Sequence, residues 1–266
     1  MTRQECVHRC CLTIAGSDSG GNAGVQADLR AFHAYKVHGC TVFSALTAQN
    51  PNGVYAIHSL PASFVSAQLD AVFETYSISA IKTGMLANSE IVEAVAEKLR
   101  SRPAIVKVVD PVMVSTSGAR LLPLDAVDVL TRKLLPLASL ITPNIPEAEV
   151  LSGMRIDSAK AVRDAAEKLS GAFGCAVLVK GGHFKDDPSL AEDTLFDGGN
   201  FKVFSLPRIE NPVSTHGTGC TLSSAIAAEL ACGADIASAV EGAKKYVHNA
   251  IAASYRAGEN CGVLGF

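Results

Sequence analysis

Short apolar runs alternate along this chain with longer stretches in which apolar residues recur every three to four positions, a pattern of strands joined by crossover helices. The short runs predict strands at Cys11–Ala15, Cys40–Leu46, Ala80–Lys82, Ile105–Val109, Leu140–Ile141 and Ala176–Val179. Helical spacing falls in Val25–Tyr35, Phe64–Phe73, Glu90–Leu99, Ala126–Leu134, Ile145–Leu151 and Ser158–Leu169. Asp193–Phe196 and Phe201–Phe204, joined by Asp197-Gly198-Gly199-Asn200, predict a hairpin at a sheet edge. Helices over about 218–232 and 235–256 finish the chain. No internal repeat or low-complexity segment breaks this order, so residues 1–266 are expected to form one α/β domain.

The strand ends say more than the strands. Gly16-Ser17-Asp18, Lys82-Thr83-Gly84-Met85, Asp110-Pro111-Val112-Met113, Thr142-Pro143-Asn144 and Lys180-Gly181-Gly182 each close a predicted strand. In a parallel sheet the ligand crevice lies outside the carboxyl ends of the strands, so these polar, Gly-rich termini converge on one rim. The segment Thr215-His216-Gly217-Thr218-Gly219-Cys220 then leads into a small-residue helical stretch. Its glycines let backbone approach a ligand, the first helical turn points unpaired N–H groups at the same spot, and a thiol stands at the junction. A helix N-terminus favours a thiolate there. Alone, the segment also fits a Gly-rich turn around an inert cysteine.

Composition narrows the field. With 48% hydrophobic and 18% charged residues and a formal net charge of −3, the chain carries no basic field for nucleic acid or membrane surfaces. Met1–His8 is polar and fits no signal or transit peptide, and the apolar stretch Ala225–Val240 is interrupted by Glu229 and Asp235, so no membrane span is expected. Eight cysteines without C-x-x-C spacing suit reduced thiols in a cytoplasm, and Cys6, His8, Cys10 and Cys11 match no zinc motif. The loop Gly16 to Gly24 lacks G-x-G-x-x-G, and neither a Walker motif nor a G-x-S-x-G elbow occurs. What remains is a phosphate hole near residue 217, acidic groups at Asp110 and Glu147, and a cation at Lys180. Phosphoryl transfer needs such parts, although singly each has a commonplace reading as turn former, helix-start carboxylate or surface lysine.

Ala15 to Asp28, Thr47-Ala48-Gln49-Asn50, Lys82 to Met85, Asp110 to Met113, Thr142 to Glu147, Lys180 to His183 and Thr215 to Cys220 together resemble the hydroxymethylpyrimidine/phosphomethylpyrimidine kinases of thiamin biosynthesis. The resemblance runs in order over about residues 11 to 255. It implies a ribokinase-like three-layer αβα sandwich with a mostly parallel central sheet. It implies ATP as co-substrate, Mg²⁺, a small-molecule substrate, a cytoplasmic homodimer, and phosphorylation of 4-amino-5-hydroxymethyl-2-methylpyrimidine and then of its monophosphate.

The resemblance assigns Cys220 as catalytic base and Gly217, Thr218 and Gly219 as the anion hole. It puts Asp110, Asn144 and Glu147 in the Mg²⁺ and phosphate neighbourhood, Asp110 and Glu147 on the metal through water, and Lys180 on ATP phosphate. Gln49 is expected to hydrogen-bond the pyrimidine edge, because an amide donates and accepts at once, with Gly16, Asp28 and Met85 completing the pocket. Asn22 stands where the family usually has Gly, Pro51 where Thr is common, and Ser115 to Gly118 departs from a Lys-containing loop. The related pyridoxal kinases, which also carry Cys in the last motif, are the alternative enzyme, and a catalytically silent ligand-binding protein is the alternative of another class.

Overall fold

The computed structural model describes residues 9–114, 121–181, 188–259 and 261–266. Cys6, His8, the Ser115 to Gly118 loop, Gly182 and His183 therefore lie outside the described residues. Nine strands form the main sheet: β1 (Cys10–Asp18), β2 (His38–Asn50), β3 (Gly53–Ser59), β4 (Ile78–Thr83), β5 (Val106–Val109), β6 (Leu140–Ile141), β7 (Ala176–Lys180), β8 (Leu190–Asp197) and β9 (Asn200–Pro207). Their spatial order is β3-β2-β1-β4-β5-β6-β7-β8-β9. The stretch from β2 through β7 is parallel, whereas β3 runs antiparallel on β2, and β8 and β9 close the other side as the expected hairpin. Strands β1 and β4 through β7 read as short, largely apolar runs because most of their residues are buried on both faces.

The helices are α1 (Gly24–Ala34), α2 (Ala62–Thr75), α3 (Ser89–Arg100), α4 (Leu124–Val129), α5 (Ile145–Ser152), α6 (Ala159–Phe173), α7 (Thr218–Ala231) and α8 (Ile236–Ala252). One core joins the sheet to α2 through α6 around Leu12, Ile81, Ile91, Leu99 and Ile141. The opposite core packs α1, α7 and α8 on the sheet through Phe32, Leu140, Ile226 and Val240. Three layers result, with the parallel strands ending on one rim. Among the described residues, no helix is long and apolar enough to cross a membrane.

Several expectations are corrected. Strand β2 continues past Leu46 to Asn50 because β3, absent from the sequence reading, pairs with it from Ala45↔Ser59 to Asn50↔Gly53. Every residue of β3 is exposed or half-buried, so it lacks the in-out alternation that marks a strand. Helix α4 passes at Leu130 into a π turn and then a 3₁₀ turn, Leu135–Leu137, that contains Pro136. The last helix stops at Ala252, and β10 (Tyr255–Gly258) folds back antiparallel on β11 (Cys261–Val263).

Candidate functional site

The rim is held open by a loop that cannot be built without glycine. Strand β1 ends at Asp18, whose carboxylate accepts the backbone N–H groups of Gly20 (2.8 Å), Asn22 (2.9 Å) and Ala23 (2.8 Å). Burial pushes this carboxyl up, but those N–H donors help to bring it below the ordinary carboxylate range. The loop presses against the start of α7. Gly217, with φ +87°, would place a Cβ 1.8 Å from the Asn22 carbonyl oxygen, so both the turn and the approach demand glycine. Its carbonyl then accepts from the N–H and hydroxyl of Thr221, both at 2.9 Å, which fixes the first turn of α7 against the rim.

A cleft of about 150 Å³ opens there. Gly16, Asp18, Gln49 and Met85 line one part, Asp110, Asn144, Glu147 and Lys180 another, and Gly217, Gly219 and Cys220 come from the start of α7. Thus all but two of the residues singled out in the sequence meet in one place: Thr218 flanks the lining residues, and Asp28 lies elsewhere. A Cβ on Gly16 would stand 3.3 Å from the Met85 Sδ, so these two are packed face to face.

Lys180 Nζ donates to Asp110 Oδ1 at 2.8 Å. Burial pushes the lysine down, yet Asp110 and Glu147 raise it further, so it stays charged. Asp110 also accepts from Thr142 Oγ1 (3.2 Å) and Ser223 Oγ (3.3 Å), and Gly219 leaves room for Lys180, whose Nζ is 3.5 Å from where a Cβ would be. Asn144 and Glu147 form a reciprocal cap of α5: Glu147 N–H donates to Asn144 Oδ1 (2.9 Å), and Asn144 N–H to Glu147 Oε2 (2.8 Å). Burial, with Asp110 beside it and against the pull of Lys180, pushes the Glu147 carboxyl up to about 7. Among the described residues no three His, Cys, Asp or Glu side chains converge as a metal-binding group.

Two expectations change. Asp28 is fully buried and lines no part of the cleft. It accepts from Lys82 Nζ at 2.8 and 2.9 Å, from Thr13 Oγ1 at 2.5 Å and from Ser224 Oγ at 2.5 Å, tying β4, β1 and α7 to α1. A carboxylate that accepts four such hydrogen bonds from three donors has its charge balanced inside the fold and nothing left for a substrate. The Cys220 thiol, expected to be lowered by its helix N-terminus, is instead raised: burial dominates, Lys82 pulls down, and Asp28 and Asp110 push up. The sequence reading also gave no role to Asp18, His216 or Lys82, although all three stand inside the quoted motifs. Gln49 Nε2 lies 3.4 Å from His216 Nε2.

The model of the phosphomethylpyrimidine kinase family matches residues 18–265. The hydroxymethylpyrimidine/phosphomethylpyrimidine kinase of Haemophilus influenzae is 46% identical over 254 residues, covering 94% of this chain and 94% of that protein. The thiamine biosynthesis bifunctional protein ThiED of Geobacter sulfurreducens is 49% identical over 240 residues, covering 90% of this chain, which spans about half (48%) of that longer relative. Among solved structures, the ADP complex of Bacillus subtilis pyridoxal kinase superposes with a TM-score of 0.88 at 35% identity, over 97% of each chain.

Proposed function

The chain belongs to the phosphomethylpyrimidine kinase family, and on that premise we propose that it transfers the γ-phosphoryl group of ATP to 4-amino-5-hydroxymethyl-2-methylpyrimidine and then to the monophosphate so formed, within thiamine biosynthesis. One observation carries the reading at the level of residues. A single cleft holds an amide suited to a pyrimidine edge, Gln49, together with the Gly217–Gly219 turn, Lys180 and Cys220.

In this reading Gln49 pairs with the ring nitrogen and exocyclic amine, and Gly16 and Met85 flank the ring. Met85 is held by its own carbonyl, which accepts from Ser44 Oγ at 2.6 Å. The N–H groups of Gly217, Thr218 and Gly219 and the Lys180 ammonium take the phosphate oxygens, with Asn144 beside them. Cys220 accepts the proton of the substrate hydroxyl as its oxygen bonds to the γ-phosphorus and the bond from that phosphorus to the β-phosphate oxygen breaks, leaving ADP. Mg²⁺ fits the donor set: Asp110 and Glu147 offer hard oxygens, and a cation that keeps most of its waters needs only one or two carboxylates. When bound it neutralises charge developing on the phosphates. Glu147, raised by burial and by Asp110, is a carboxyl that a nearby cation would ionise.

The described residues act as one catalytic domain, placed in the cytoplasm, and two copies pair as a homodimer. The exposed Leu46, Tyr55 and Ile57 on β2 and β3 support such pairing. A pyridoxal kinase is the second reading, favoured by the superposition on the Bacillus subtilis enzyme. Steady-state ADP release with the pyrimidine alcohol, its monophosphate and pyridoxal decides between them. The pyrimidine pair should show the higher kcat/KM. A higher value for pyridoxal supports the second reading, and no turnover with any alcohol a silent binding protein.

A further inference from the structure

We propose that His216 is a positioning residue that fixes which way round the Gln49 side-chain amide faces the substrate. The inference rests on the reading of Gln49 as the residue that meets the pyrimidine edge. An amide's oxygen and nitrogen are close in size, so packing alone selects neither orientation, whereas a hydrogen-bond partner does. Gln49 has such a partner. Its Nε2 stands 3.4 Å from His216 Nε2, while Asp18 Oδ2, already accepting the Asn22 and Ala23 N–H groups, lies farther from that ring nitrogen at 3.8 Å.

Two nitrogens attract only if one donates and the other accepts. An unprotonated imidazole nitrogen accepting one Gln49 N–H satisfies this, and it leaves the second N–H and the Oε1 for a ligand. The amide then presents a donor and an acceptor in a fixed order. An aminopyrimidine presents an acceptor, the ring nitrogen, and a donor, the exocyclic amine, also in a fixed order. A reversed amide would set donor against donor and acceptor against acceptor, losing both bonds. The placement of His216 is not incidental. It immediately precedes Gly217, the residue whose left-handed turn caps α7, and its own N–H donates to Ser214 Oγ at 3.2 Å. The backbone that builds the anion hole therefore also sets the orientation of the residue that reads the base.

Four full-length proteins test this: His216→Leu, His216→Gln, Gln49→Ala and the His216→Leu/Gln49→Ala double variant. Each is assayed with the aminopyrimidine alcohol and with the analogue lacking the exocyclic amine, 5-hydroxymethyl-2-methylpyrimidine. His216→Leu should raise KM for the aminopyrimidine by about 5- to 10-fold, the effect of losing one oriented hydrogen bond, with KM for ATP within twofold of wild type. Its discrimination between the two alcohols should shrink by a similar factor. His216→Gln, which keeps an acceptor at similar reach, should restore most of both. In the double variant the leucine should add nothing to the effect of Gln49→Ala, since there is no amide left to orient. The proposal is overturned if Gln49→Ala raises KM for the aminopyrimidine but His216→Leu leaves KM and discrimination at wild-type values. It is overturned equally if the two substitutions add independently. If Gln49→Ala itself leaves KM unchanged, the underlying assignment of Gln49 fails, and this inference with it.

Discussion

At the scale of single residues the cleft depends on charges that the fold has sequestered. Lys82 and Asp28 are both fully buried, and Lys82 draws the Cys220 thiol toward thiolate while Asp28 opposes it. Removing one partner of a buried pair leaves the other charge uncompensated, so Lys82→Met should cost about 3–5 kcal/mol in a urea melt. Burial outweighs that lysine and raises the thiol above the ordinary cysteine value, and the thiolate is the form that accepts a proton. The expected kcat therefore climbs with pH through the alkaline range rather than levelling near neutrality. Cys220→Ala should lower kcat by on the order of 10²–10⁴-fold and abolish that climb, while ATP binding persists through the backbone donors of the hole. A flat wild-type profile and an unaffected Cys220→Ala enzyme would reduce Cys220 to packing. Asp28 also marks the limit of reading one residue from a motif. It lies three and four positions before Ala31 and Phe32 on the buried stripe of α1, so helical spacing already pointed it inward. What a single sequence could not supply was its partner, because Lys82 comes from a strand 54 residues away.

At the scale of elements, helix starts carry the chemistry. Asn144 and Glu147 were legible as candidate phosphate and metal neighbours, and their spacing also made them a capping pair for α5. The two roles coexist on one carboxylate, which has a pH consequence. Glu147 takes up its proton at about 7 in the folded chain against an ordinary value of 4.5, so between those values the folded state binds more protons than the unfolded one. Stability should accordingly fall as pH rises from about 4.5 to about 7 and level off above. Glu147→Gln should lose that slope in urea melts taken across the window; an unchanged slope would assign it to another group. Most helices were legible because each buries a face and so shows its period, and most parallel strands because burial on both faces makes short, largely apolar runs. Strand β3 was not, since it shields no core, and neither was the β10 and β11 ribbon, whose strands span only four and three residues.

At the scale of the whole molecule, burying the parallel strands between two helical layers leaves the sheet open at β3. Tyr55 and Ile57 there, with Leu46 and Phe64 nearby, are exposed large apolar side chains on or beside an edge strand, a surface that proteins ordinarily cover. With homodimerisation as proposed, Ile57→Lys should shift sedimentation from dimer to monomer at micromolar concentration, and a wild-type monomer would remove that assembly. The ordered strand ends, legible from the sequence, bring Gln49 from one side of the sheet and Lys180 from the other to the start of α7. That convergence is the basis for assigning a pyrimidine alcohol and ATP to one cleft. The most direct test is ³¹P NMR of the protein with MgATP and 4-amino-5-hydroxymethyl-2-methylpyrimidine. The account predicts a monophosphate ester signal that gives way to a coupled diphosphate pair, with ADP formed in step. Inorganic phosphate alone, or phosphorylation of pyridoxal far outpacing that of the pyrimidine in the same tube, would contradict it.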